Sequence, residues 1–171
     1  DAANATTGQI TSQKLSAGGG ITVSMGTGTG GITMVSSVTN GNFTLDASNF
    51  GGTIDINTIT ASGAVVVSMG TTGDFSADDV ATAGAFTLDG AAAVSGSVML
   101  NSVTAGGNAT VSMGSGTGSL TVTNLNTLGN FTLDASKFGG TVDVTTLSAS
   151  GAVVVSMGTT GDFSATHIAG V

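Results

Sequence analysis

The chain has 171 residues, 29 of them Gly, with no Pro, Cys, Trp or Tyr, and its ten acids against two bases, Lys14 and Lys137, give a net charge of −8. With so little Lys and no Arg there is no counterion-releasing surface, so nucleic acid and anionic membranes are poor partners, and without Cys there is neither a disulfide framework nor a thiolate metal site. No run of 18 apolar residues exists to cross a bilayer as a helix, while an apolar content of 40% argues against disorder despite the glycine.

Residues 1–7 read as a lead-in or linker. The chain opens at Asp1 without Met and without a leader pattern, which suggests a removed signal or a longer parent. Residues 8–17, GQITSQKLSA, look like the second half of a repeat block lacking its first half. From there the blocks fall into register at Ile21, Phe43, Val65, Phe86, Ala109, Phe131 and Val153, at steps of 22, 22, 21, 23, 22 and 22 residues. Two block types alternate: NFTLDAS at 42–48 and 130–136, with AFTLDG at 85–90, and VVVSMG or close to it at 21–26, 65–70, 109–114 and 153–158. Met25, Met69, Met113 and Met157 therefore recur every 44 residues, and ASGAVVVSMGTTGDFSA at 61–77 returns unchanged at 149–165.

Both halves of a block alternate with period two, and no helical stripe occurs anywhere. Phe43, Leu45 and Ala47 form one inward set, and Val65, Val67 and Met69 the next. In the second half the apolar positions Ile54, Ile56 and Ile59 recur as Val98, Leu100, Val103 and as Val142, Val144, Leu147. Spacing of two and then three predicts a strand that turns a corner. Glycines at 51–52, 73 and 106–107 mark turns.

A 22-residue unit buries too little to fold alone, so its copies must stack and share a core. The expected fold is all-β: a single parallel β-solenoid over 8–171, about 22 residues per coil and roughly seven coils. A two-coil sequence repeat runs along it, a right-handed wind is favoured, and the array is expected to continue beyond one or both ends. Stacking predicts that neighbouring coils alternate large and small, as in the row Met25, Ala47, Met69, Gly90, Met113, Ala135, Met157. An outward row, Ser24, Asp46, Ser68, Asp89, Ser112, Asp134, Ser156, likewise places carboxylates only on every second coil, roughly 9.6 Å apart. The rival is an antiparallel sandwich, which shares the turn spacing but has no reason to hold one period through seven copies.

Candidate sites are few. Asp74, Asp78 and Asp79 are the densest acids and the only calcium candidates. Their copy at 161–169 replaces the last two by Thr166 and His167, which favours plain turn polarity. The glycine-rich calcium nonapeptide is also missing; residues 51–59 depart from it at the third glycine. His167, the one histidine, lies in no nucleophile motif. Paired acids of a glycosidase type are not evident, and a lyase would want bases this chain lacks. No enzyme and no cofactor are expected. The outward row Thr22, Thr44, Val66, Thr87, Thr110, Thr132, Val154 has the look of an ice-binding rank, although β-propensity alone accounts for it. Asn4, Asn42, Asn108 and Asn130 begin Asn-X-Thr sequons, common by chance in such a composition.

The tandem GNFTLDAS…GGTIDINTITASGAVVVSMG blocks resemble the repeat arrays of large secreted bacterial surface proteins: autotransporter-like passengers, giant repetitive adhesins and S-layer-like exoproteins. This resemblance covers nearly the whole chain, implies an extracellular structural or adhesive rod, and transfers no site residue. Residues 163–171 stop midway through a unit without a polar cap, so end-to-end or lateral association with further copies is expected. A structural stalk, sheath, filament or lattice is the first functional reading. The second is an adhesin that touches ice, glycan or another cell through one face.

Overall fold

A computed structural model describes residues 9–70, 73–90 and 95–171, so the lead-in and the Asn4 sequon lie outside the described residues. The described chain is a parallel β-solenoid of about seven coils, and none of its elements is a helix. Each coil contributes a short strand and a long one. The short strands are β3 (Ile21–Ser24), β5 (Phe43–Ala47), β7 (Val65–Met69), β9 (Phe86–Gly90), β11 (Ala109–Met113), β13 (Phe131–Ala135) and β15 (Val153–Met157). The long ones are β4 (Gly31–Thr39), β6 (Thr53–Ala61), β8 (Asp74–Thr82), β10 (Ser97–Ala105), β12 (Ser119–Thr127), β14 (Thr141–Ala149) and β16 (Asp162–Ala169), preceded by β1 (Gln9–Ser12) and β2 (Leu15–Ala17).

Strands pair only with their counterparts one block away. The short ones make a seven-stranded sheet and the long ones a nine-stranded sheet, every pair parallel. A sandwich would pair neighbours antiparallel, so that alternative is excluded. Ala47 faces Met69 across the ladder, Met113 faces Gly90 and Ala135 faces Met157, so each of these methionines has a small residue in an adjoining coil. A wide side chain leans over a narrow one, which keeps the core at protein packing density.

The corner expected in the long strand is a reset of alternation. In β6, Ile54 and Ile56 point in, Asn57 and Thr58 both point away, and Ile59 and Ala61 point in again. The ladder passes from Ile56↔Ala77 to Thr58↔Asp79, skipping one pair at the bend. In the first coil the same place breaks the strand, with Gln13 and Lys14 between β1 and β2. One core then runs along the axis, walled by the short strand and both arms of the long strand.

Glycine has a role that turn punctuation does not describe. No described residue has positive φ. What the turns lack is room, because each coil lies on the backbone of the last. A Cβ on Gly52 would lie 1.9 Å from the Gly30 carbonyl oxygen and 2.6 Å from the Phe50 ring. Phe50, buried in the turn between β5 and β6, is stacked against glycine turns, and Phe138 occupies the matching turn after β13. Asp74, read as part of a turn, instead opens β8.

Candidate functional site

The acidic candidates do not converge. Asp74 sits at the start of β8, where its Oδ1 accepts the Ser97 N–H of the next coil at 2.8 Å. Asp78 lies at the bend, its Oδ1 accepting from Asn101 Nδ2 at 2.7 Å, and Asp79 points outward on the second arm. A step of four residues along extended chain sets Asp74 about 13 Å from Asp78. Among the described residues no three acidic or imidazole side chains are placed to share a metal ion. His167 is exposed on β16, opposite Thr146. These side chains serve coil-to-coil bonding or face solvent.

Three asparagines singled out as sequons form rungs of a ladder. Asn42 Oδ1 accepts the Ala64 N–H at 2.8 Å, Asn108 Oδ1 that of Asn130 at 2.9 Å, and Asn130 Oδ1 that of Ala152 at 2.9 Å. Glycine in the next turn is part of the same device, since a Cβ on Gly63 would fall 2.1 Å from Asn42 Oδ1. The Thr two residues on is an outward strand residue, so the fold itself produces the Asn-X-Thr pattern.

A second ladder escaped sequence reading. The last inward position of the long strand holds buried Thr39, Thr82 and Thr127 where β6, β10 and β14 hold Ala61, Ala105 and Ala149. Each threonine Oγ1–H donates to a glycine carbonyl of the preceding turn: Thr39 to Gly19, Thr82 to Gly63, Thr127 to Gly107. Each hydroxyl in turn accepts from the glycine two residues ahead, as Thr39 does from the Gly41 N–H at 3.1 Å. Thr in this set against Ala at the equivalent position of neighbouring coils was the available signal. Ser37 is the exception inside. It lies between Leu15 and Ile59 in the core, fully buried, and its hydroxyl has no hydrogen-bond partner among the described residues.

The short-strand sheet presents the most regular surface. Register places Ser24, Asp46 and Ser68 side by side, continues through Asp89 to Ser112, and ends with Asp134 and Ser156. The adjacent outward row is Thr22, Thr44, Val66, Thr87, Thr110, Thr132 and Val154. Asp46 Oδ1 accepts from Ser48 Oγ–H at 2.7 Å and from its N–H at 3.1 Å, and these bonds hold its carboxyl below the usual range. Ser136 does the same for Asp134, with a smaller pull from Lys137. Between the acidic rungs Asp89 and Asp134, the Ser112 rung is recessed beneath an open groove of about 490 Å³. A second cavity, about 330 Å³ and mostly apolar, opens at the first coil among Ile10, Leu15, Ile21, Val23 and Met25. It is the cross-section of the core.

Comparison of the chain with family models, with curated sequences and with solved structures finds no match.

Proposed function

We propose that this chain is a structural element of a cell exterior, a repetitive rod that builds a stalk, sheath, filament or surface lattice through end-on and lateral self-association. The supporting observation is where the polar chemistry goes. Asn42, Asn108, Asn130, Thr39, Thr82, Thr127 and Asp74 bond to backbone of an adjoining coil. A molecule that devotes these groups to its own stacking acts through its length and its faces. The style of its repeats supports a place among the autotransporter-like, adhesin-like or S-layer-like exoproteins, and hence an extracellular location. End-on growth is supported by the β1–β3 and β15–β16 edges, which have no outer strand partner among the described residues and could template further parallel strands.

Imaging of the purified chain by negative-stain electron microscopy tests this reading. Rods that lengthen with protein concentration are expected; a monodisperse monomer at high concentration would count against end-on assembly. The adhesin reading rests on the in-register Thr and Val row of the short-strand sheet. Inhibition of ice recrystallisation by the same preparation would favour it.

A further inference from the structure

We propose that the short-strand face pairs with the same face of a second copy, offset by one coil, and that its carboxylate row keeps the two apart until acid discharges it. The proposal rests on the structural reading for its biological sense, but not on end-on growth.

The face has a relief that suits itself. Asp46, Asp89 and Asp134 are exposed, while Ser68 and Ser112 between them are half-buried, so inside the row acidic rungs stand proud of recessed serine rungs; Ser24 and Ser156 at its ends are exposed. The groove over Ser112, flanked by Asp89 and Asp134, shows that such a recess has side-chain dimensions. The row reads Ser-Asp-Ser-Asp-Ser-Asp-Ser from either end. A two-fold axis parallel to the strands, lying between β9 and β11, therefore sets every Asp of one copy over a Ser of the other, and brings the Thr and Val rows together. Such an interface is isologous and closed.

Six shared rungs span about 29 Å along the axis, and a five-residue strand about 16 Å across it, so the pair covers about 900 Å² in total. That is below the size of stable specific interfaces and within the range of weak, transient contacts. An association this small is decided by charge. Interleaving sets carboxylates of opposite copies about one coil apart, well within a Debye length of ~8–10 Å. While ionised they repel. Once protonated, each becomes a donor as well as an acceptor for the serine beneath it. Among the described residues the groups near these acids include Ser24, Ser68, Ser112 and Ser156 on adjoining strands, Ser48 and Ser136 at the turns, Ser115 beside the groove, and Lys137 near Asp134; neither outward row holds another titratable side chain. The serine bonds to Asp46 and Asp134 move the switch below the ordinary carboxylate range.

Sedimentation velocity at fixed concentration reads the pairing, with far-UV circular dichroism to verify the fold. The paired fraction of the native chain is expected to rise at least about tenfold between pH 7 and about pH 2.5, below the lowered carboxyl range of Asp46 and Asp134. A triple variant, Asp46→Asn, Asp89→Asn and Asp134→Asn, is expected to pair already at pH 7. A control with the same charge change elsewhere, Asp55→Asn, Asp79→Asn and Asp143→Asn, is expected to stay apart there. If the first variant stays unpaired at pH 7, or the control pairs equally, the face is not the interface and the proposal falls. Lengthening of rods in images is a separate readout, so loss of end-on growth and loss of lateral pairing are told apart.

Discussion

The seventeen residues at 61–77 and their copy at 149–165 share every letter but not an environment. In the first copy Val65 and Val67 are fully buried and Phe75 is 2% exposed; in the second, Val153 and Val155 are only partly covered and Phe163 is 39% exposed. Strand limits and pairing on the inner side are the same: Ala47 faces Met69 as Ala135 faces Met157. The difference is one further coil. Val67 has Leu88 beyond it, whereas Val155 has no described strand beyond it. Conformation is thus written in the segment, and burial is supplied by its neighbours, as nearest-neighbour stability in a solenoid requires.

The sharpest way to break this comparison is to put a charge at the same letter in both copies. Val67→Asp forces an unpaired carboxylate into a core closed by two coils, and a loss of about 4 kcal/mol or more is expected. Val155→Asp, measured at a concentration low enough to keep the chain monomeric so that water reaches one side, is expected to lose less than half of that. Chemical denaturation followed by circular dichroism measures both, and Thr44→Ala on the outward row serves as a mild control. Equal losses at 67 and 155 would show that the last coil is as enclosed as the inner ones.

Much of this architecture was legible because stacking imposes the same demand many times. Rows such as Ser24, Asp46, Ser68 show in the letters since identical positions lie at one period, and the bend after Ile56 shows as apolar spacing changing from two to three. What stayed hidden are residues whose partners belong to another coil. Thr127 falls two residues after Leu125 on the inward phase, but its letter names no partner, and only its burial and its bond to Gly107 reveal a hydroxyl that fastens two turns. Asn130 looks like a sequon because the pattern records its own coil and not the Ala152 N–H it caps. Gly52 reads as a flexible turn, yet it is small because Gly30 and Phe50 leave no space. The candidate acids were legible as a cluster in sequence, but an extended strand spreads neighbours along its length.

The threonine ladder sharpens the comparison at smaller scale. Thr39 and Thr127 are 88 residues apart and make matching bonds, but Gly19, the partner of Thr39, lies in the first described coil and is exposed, while Gly107 is flanked on both sides. Thr127→Val leaves the Gly107 carbonyl and the Gly129 N–H without their hydroxyl, at an expected cost of about 1–2 kcal/mol. Thr39→Val is expected to cost less, because water reaches the vacated groups. Hydrogen exchange at the Gly41 and Gly129 amides reports the two sites separately.

The smallest effect is the one that should not distinguish inner from outer coils. Asp46 and Asp134, also 88 residues apart, are held by a serine two residues ahead on their own strand end, so their environment is local. A carboxyl whose pKa is lowered by folding stabilises the native state above its unfolded pKa, and that contribution is lost as pH falls through the folded value. For both residues the loss therefore lies on the acid side, from about pH 4 downward. Ser48→Ala and Ser136→Ala are expected to raise the respective carboxyl pKa by similar amounts, because each removes the largest cause of the lowering. Lys137 adds a small further lowering at Asp134 alone. Carboxyl titration by nuclear magnetic resonance checks this, and a large shift at one site with none at the other would mean that the neighbouring coil, and not the serine, sets the charge.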